Sequence, residues 1–143
     1  MTTRAAIATA SPALVALRVM TAVGLLVDAV IHLYLASGYQ EAAPGGIGEG
    51  NLFRTQAVAA LLLAVLVLAR GSRMAYLASA IVAAAALGAV LIYRYVDLPA
   101  LGPLPPMYEP LWFPTKAATA VAEAVALTGA LIGLSRPRLA PTR

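Results

Sequence analysis

Asp28 and His32 stand four residues apart in a stretch that is otherwise apolar. One helical turn separates them, so a carboxyl and an imidazole share a face and can hydrogen-bond, the acid setting which ring nitrogen carries the proton. Lys116 and Glu123 are seven apart in a second apolar stretch and again share a face. Arg54 and Gln56 begin a third stretch, Tyr93 and Arg94 close another, and Trp112 lies in the segment before Lys116. Ionisable groups in such surroundings are expensive, at about 2.5–3.5 kcal/mol for Asp, Lys or Arg at mid-bilayer, and they turn inward to find partners or serve a function. Asp28, His32, Arg54, Gln56, Tyr93, Arg94, Trp112, Lys116 and Glu123 are therefore the candidate ligand-binding set. The competing reading is an internal network of ion pairs and hydrogen bonds that fixes how the helices meet.

The chemistry open to this set is narrow. One imidazole and two carboxylates (Asp28, His32, Glu123) match the donor types of a facial triad. A single His with a carboxylate one turn before it is more often a hydrogen-bonded pair, so no metal ligand is assigned. A haem would need a second axial ligand besides the lone His. Ser11, Ser37, Thr55 and Thr115 lack an adjacent His–acid pair, so no catalytic nucleophile is assigned. The run Gly45-Gly46-Ile47-Gly48 is followed by no Lys-Ser/Thr and preceded by no strand, unlike a phosphate loop. With no cysteine, thiol redox chemistry and cysteine-ligated metals are excluded.

Four apolar stretches must position these groups: residues 13–36, 52–69, 74–95 and 114–134. Each is about 18–24 residues, enough to cross a ~30 Å hydrocarbon core as helix, and helix is the conformation that pairs its own backbone groups in lipid. The chain is 62% hydrophobic and 11% charged, where a soluble domain is nearer half apolar and a quarter charged. The reading is all-α: a single four-helix transmembrane domain spanning 1–143, the helices in a bundle, with outer loops 37–51 and 96–113. The first stretch is expected to be a retained span and not a cleaved leader, since it is long, contains Arg18, and has its small-residue motif Ala8-Thr9-Ala10 before the apolar run.

Arginine placement gives orientation. Arg4, Arg70, Arg73, Arg136, Arg138 and Arg143 fall on one side, and Glu41, Glu49, Asp97 and Glu109 on the other, so both termini are expected in the cytoplasm. The +4 charge thus reports topology, and without a basic run with interleaved aromatics nucleic acid is not an expected partner. Arg in nine of ten basic positions, with abundant Ala, Gly and Pro, is the usage of GC-rich bacterial coding and suggests a bacterial inner membrane. Eight of the nine aromatics lie at the outer boundary, Tyr76 being the exception, which fits either anchoring or an aromatic-rimmed mouth for an amphiphile such as a quinone. Pro99, Pro103, Pro105, Pro106 and Pro110 stiffen the second outer loop into a cap. Gly129-x-x-x-Gly133 and Ala84-x-x-x-Gly88 allow close helix contact, within the chain or in a homodimer.

At ~1.5 Å per residue, His32 lies ~6 Å and Asp28 ~12 Å below the outer end at Ala36, while Lys116 and Glu123 lie ~3 and ~13 Å below Pro114. Two acids at one depth under a His, a Gln and three cations describe a polar shaft open to the outside. Glu49-x-x-x-Phe53-x-Thr55-x-Ala57 recurs sixty positions on as Glu109-x-x-x-Phe113-x-Thr115-x-Ala117, with Gln56 and Lys116 in equivalent slots. Two duplicated hairpins would explain it, as would chance in an Ala-rich chain.

Asp28-x-x-x-His32-Leu33-x-Leu35, Leu52-Phe53-Arg54-x-x-Ala57, and the run from Tyr93-Arg94-Tyr95-Val96-Asp97 to Pro103-x-x-x-Met107-Tyr108-Glu109-Pro110-x-Trp112-Phe113-x-x-Lys116 resemble a group of uncharacterised bacterial four-helix membrane proteins. More distantly the chain resembles the DoxX-like family over residues 14–134. That resemblance implies an inner-membrane accessory role in quinone-linked redox chemistry and carries no catalytic residues across. Three functions remain open: binding or transport of a small ligand, proton or cation through the shaft; a non-catalytic subunit docking a membrane-protein partner or quinone headgroup; and, least favoured, an enzyme acting on a lipid or quinone with His32 and Asp28 as base and orienter. No cofactor is specified.

Overall fold

A computed structural model describes residues 11–136 of the chain. Arg4, Arg138, Arg143 and the Ala8-Thr9-Ala10 motif lie outside the described residues. Four helices follow in order: α1 (Pro12–Ala42), α2 (Glu49–Ala69), α3 (Arg73–Tyr95) and α4 (Pro114–Ser135). All four are long and apolar enough to cross a bilayer, the length and composition of a multi-pass membrane protein. Among the described residues the one β feature is an isolated bridge between Leu101 and Leu104.

Local sequence explains the ends. Ser11 caps α1 by accepting from the Leu14 N–H at 3.4 Å, with Pro12 in the first turn, where its missing N–H costs nothing. Ser72 does the same for α3 through Ala75 N at 3.2 Å. Pro114 opens α4. The first helix runs six residues past the expected end at 36, and α2 starts three residues before 52, so the loop between them is 43–48 rather than 37–51. The apolar run ends near Ala36, but leaving lipid is no reason for a helix to stop. It stops where Pro44 pushes Ala43 out of helical geometry (φ −134°, ψ 71°).

Packing is inside-out relative to a soluble bundle. Lipid is as apolar as leucine, so large side chains gain little by turning inward, and close approach through small ones dominates. The main core is Ala22, Leu25, Ala29, Ala57, Ala60, Ala64, Ala83 and Ala126 with Leu63, while Val30, Leu62, Val65, Ile81 and Val121 face outward. α1 packs on α2 and α4, and α3 on α4; the α2–α3 seam is the thinnest of the four. α1 crosses α4 closely at Gly24, where a Cβ would stand 2.7 Å from the Ala122 carbonyl oxygen and 2.8 Å from the Ala126 nitrogen, and α2 meets the α1 backbone more closely still where Gly50 lies against the Ala36 carbonyl. Gly129 and Gly133 pack within the chain, against Thr21 and the Tyr76 ring respectively. The Arg18 guanidinium lies against Gly71 in the α2–α3 turn, so this cation reaches the helix ends away from the acids.

The proposed repeat is uneven in local structure. Glu49 opens α2, whereas Glu109 sits in the irregular loop five residues before α4, and Phe53 is helical where Phe113 is the residue preceding its helix.

Candidate functional site

The site grows from one stripe on each of three helices. On α1, Asp28 and His32 continue through Leu35 to Tyr39 at helical spacing; on α4, Lys116, Thr119 and Glu123 do the same; on α2, Gln56 faces them. Asp28 is the hub. Its Oδ1 lies 2.7 Å from His32 Nδ1 and 3.5 Å from Thr119 Oγ1, and its Oδ2 accepts from Gln56 Nε2 at 2.9 Å. His32 Nδ1 is also 3.0 Å from the Asp28 carbonyl oxygen. A carbonyl only accepts, so Nδ1 carries a proton. Three helices are thereby tied at one point by a carboxylate that is 1% exposed.

Glu123 reaches this point from α4. One ligating atom each from Asp28, His32 and Glu123 falls within 4.8 Å of the others. Both Glu123 carboxyl oxygens are buried and neither has a hydrogen-bond partner. Just below the acids the chain is closed by Leu25 and Ala126, each 0% exposed.

Above the acids lies a cavity of about 530 Å³. His32, Gln56, Thr119, Lys116, Glu49 and Tyr39 give it polar points; Leu35, Leu52, Phe53, Val82, Ala86 and Val90 make its wall apolar. The His32 ring is held edge-on by Phe53 at 4.9 Å between centroids, and Phe53 stacks in turn on Tyr39 at 4.6 Å. Leu104, Met107 and Phe113, from the 96–113 loop, roof the cavity. The roof is pinned: Ile47 N donates to the Pro103 carbonyl at 2.9 Å and Glu109 N to the Tyr93 carbonyl at 3.0 Å. Tyr39 donates to the Glu109 carboxylate, and Lys116 Nζ donates to the Glu109 carbonyl at 2.6 Å with the Glu109 Oε2 at 3.7 Å.

The shaft expected to open straight outward is thus covered at that end. The cavity opens instead on its side, where the lining residues Thr55 of α2 and Ala85 and Ala89 of α3 are exposed across the thin seam. At lengths that span a bilayer, this side faces acyl chains.

Of the expected site residues, Asp28, His32, Gln56, Lys116 and Glu123 lie at or directly under the cavity, and Tyr93 lines it. Arg54 does not: it is exposed and donates to Asn51 Oδ1 at 2.8 Å on its own helix. Being two residues from Gln56 turns it about 200° away. Arg94 and Trp112 are also off the cavity wall; the Arg94 guanidinium lies 4.9 Å from the Tyr95 ring and 5.8 Å from the Trp112 ring, making an external brace for the roof. Lys116 Nζ lies 5.9 Å from the Trp112 ring and 6.0 Å from the Phe113 ring.

The sequence reading did not assign Thr119, Tyr39, Glu49, Glu109 or Phe53 to the site. Two of them carried a signal. Thr119 is three residues after Lys116 and four before Glu123, and Tyr39 is seven after His32, so both belong to stripes already drawn. Glu109 and Phe53 are brought in by the fold of the loops, which helical spacing does not encode. Comparison with family models, curated proteins and solved structures returned no match, so the functional reading rests on the residues themselves.

Proposed function

We propose that this protein is a binding protein of the bacterial inner membrane, with both termini cytoplasmic, that holds an amphiphilic small molecule of the quinone type in its outer half. The observation that carries the reading is the cavity: about 530 Å³, apolar along its wall, with a polar end at His32, Gln56, Thr119 and Lys116, and open towards lipid between α2 and α3. Ligand pockets have about this volume and this pattern of apolar walls with few polar anchors. The ligand's ring or head accepts from Lys116 or donates to Nε2 of the neutral His32 ring, whose proton Asp28 holds on Nδ1. Its apolar remainder leaves through the seam at Ala85 and Ala89 and stays in the bilayer.

Holding is favoured over proton or cation transport by what lies beneath the acids. Leu25, Ala22 and Ala126 fill that level, and the next polar groups, Thr21 and Ser79, bond to their own helix backbones at 2.9 and 2.8 Å. A conducting path needs polar or hydrated steps. The test is titration of the full-length protein in nanodiscs with decylubiquinone, followed by quenching of Trp112, its single tryptophan. Saturable quenching that Ala85→Phe and Ala89→Phe reduce at least tenfold is the expected result. Non-saturable quenching, identical in the variants, would refute the reading.

A further inference from the structure

We propose that Asp28, His32 and Glu123 form a binding site for one divalent first-row transition ion, manganese, iron(II) or zinc, set directly beneath the cavity. The argument starts from charge. Among the described residues, no Lys or Arg comes within 4.0 Å of either the Asp28 or the Glu123 carboxylate; the one Lys or Arg ion pair is Lys116–Glu109, and Asp28 has the His32 imidazole 2.7 Å away. Arg54 faces outward, Arg94 lies by Tyr95 and Trp112, and Lys116 is committed to Glu109. Two acids, each 1% exposed and at the depth of acyl chains, are left with one imidazole between them. With the site empty, a proton held between the two acids limits their charge; a divalent cation releases that proton and balances two carboxylates to zero net charge, the condition under which buried charges are tolerated.

Geometry supplies the second argument. Glu123 is buried, both its oxygens are without partners, and one of them lies with one ligating atom each from Asp28 and His32, all within 4.8 Å of one another. Ligands at about 2.0–2.2 Å from a common ion lie about 3–4 Å apart, so rotamer adjustments of under an ångström or so close the set. Around it, Gln56 donates to Asp28 Oδ2, while Oδ1 lies 2.7 Å from His32 Nδ1 and 3.5 Å from Thr119 Oγ1. Such outer hydrogen bonds orient ligating carboxylates. On binding, the imidazole proton moves from Nδ1 to Nε2. A mixed N,O,O set favours these ions over sodium, magnesium or calcium, which take oxygen alone.

The site shares His32 with the cavity: once an ion takes Nδ1, Nε2 carries the proton and only donates to what lies above it, so the metal titration is run with no cavity ligand present and its outcome is separate from that of the quinone-type ligand. The full-length protein in detergent is stripped with a chelator and titrated with Mn²⁺, bound ion being read as loss of the free-ion electron paramagnetic resonance signal, with Zn²⁺ as competitor. One Mn²⁺ per chain, displaced by Zn²⁺, is expected. Glu123→Gln and Asp28→Asn are expected to weaken binding at least tenfold, and Glu41→Gln, on an exposed position of α1, to leave it unchanged. Circular dichroism verifies folding; should either acid variant fail to fold, His32→Gln is the third probe, with the same tenfold loss expected. No saturable binding of either ion, or binding by folded Glu123→Gln equal to wild type, would overturn the proposal.

Discussion

The hydrogen bond from Gln56 Nε2 to Asp28 Oδ2, 2.9 Å long, ties α2 to the α1–α4 pair, and its strength is open to measurement. In water-soluble proteins a hydrogen bond to a charged group contributes about 1.5–3 kcal/mol. Between helices in a bilayer, double-mutant cycles give a mean of about 0.6 and a maximum near 1.7 kcal/mol, because groups separated within the membrane find other partners. Asp28 is almost wholly buried, which argues for the upper part of that range; Gln56 lines the cavity, where it has alternatives, which argues against the maximum. The coupling between Asp28→Ala and Gln56→Ala is expected to be about 1 kcal/mol, roughly a fivefold change in the folding equilibrium. The assay is reversible unfolding by a denaturing detergent titrated into a folding-supporting one, followed through Trp112 fluorescence and helicity for wild type, both single variants and the double variant. Coupling below about 0.3 kcal/mol, within the usual additivity error, would mean that the pair is not made and that the hub at Asp28 is wrongly drawn.

Other expectations follow from single contacts. Gly24→Leu puts a side chain where even a Cβ meets Ala122 and Ala126 backbone at under 3 Å; it is expected to cost more than about 2 kcal/mol in the same assay, whereas Gly38→Ala, with nothing within 4 Å, gains up to about 1 kcal/mol from helix propensity. Lys116→Met removes the tie to Glu109 and loosens the roof, so Trp112 is expected to become several-fold more accessible to an aqueous quencher; an unchanged quenching constant would count against the brace. Arg54→Ala is expected to alter decylubiquinone affinity by less than twofold, since the side chain faces away from the cavity. A larger loss would restore the outward shaft that the sequence suggested.

Helix number and type were legible because lipid imposes a simple rule: about twenty apolar residues, helical throughout, with the costly groups turned inward. Spacing alone aligned Asp28 with His32 and Lys116 with Glu123, since 3.6 residues per turn fixes which positions share a face. The same rule, applied to Arg54 and Gln56, would have separated them. Helix ends were less legible: hydropathy marks where lipid stops, while Pro44 marks where α1 stops, and the two differ by six residues.

What the residues determined by themselves is the inventory: four spans, a handful of polar groups at one depth, and a stiff aromatic loop near one end. Tertiary structure alone decided how these are used. Gly24 lets α1 and α4 meet closely enough for Glu123 to face Asp28, the 96–113 loop folds over the cavity instead of leaving it open, and the thin α2–α3 seam turns the opening sideways. The physical reason is that periodicity assigns a side chain to a face of its own helix, whereas which faces meet, and how closely, depends on small residues from different helices fitting together.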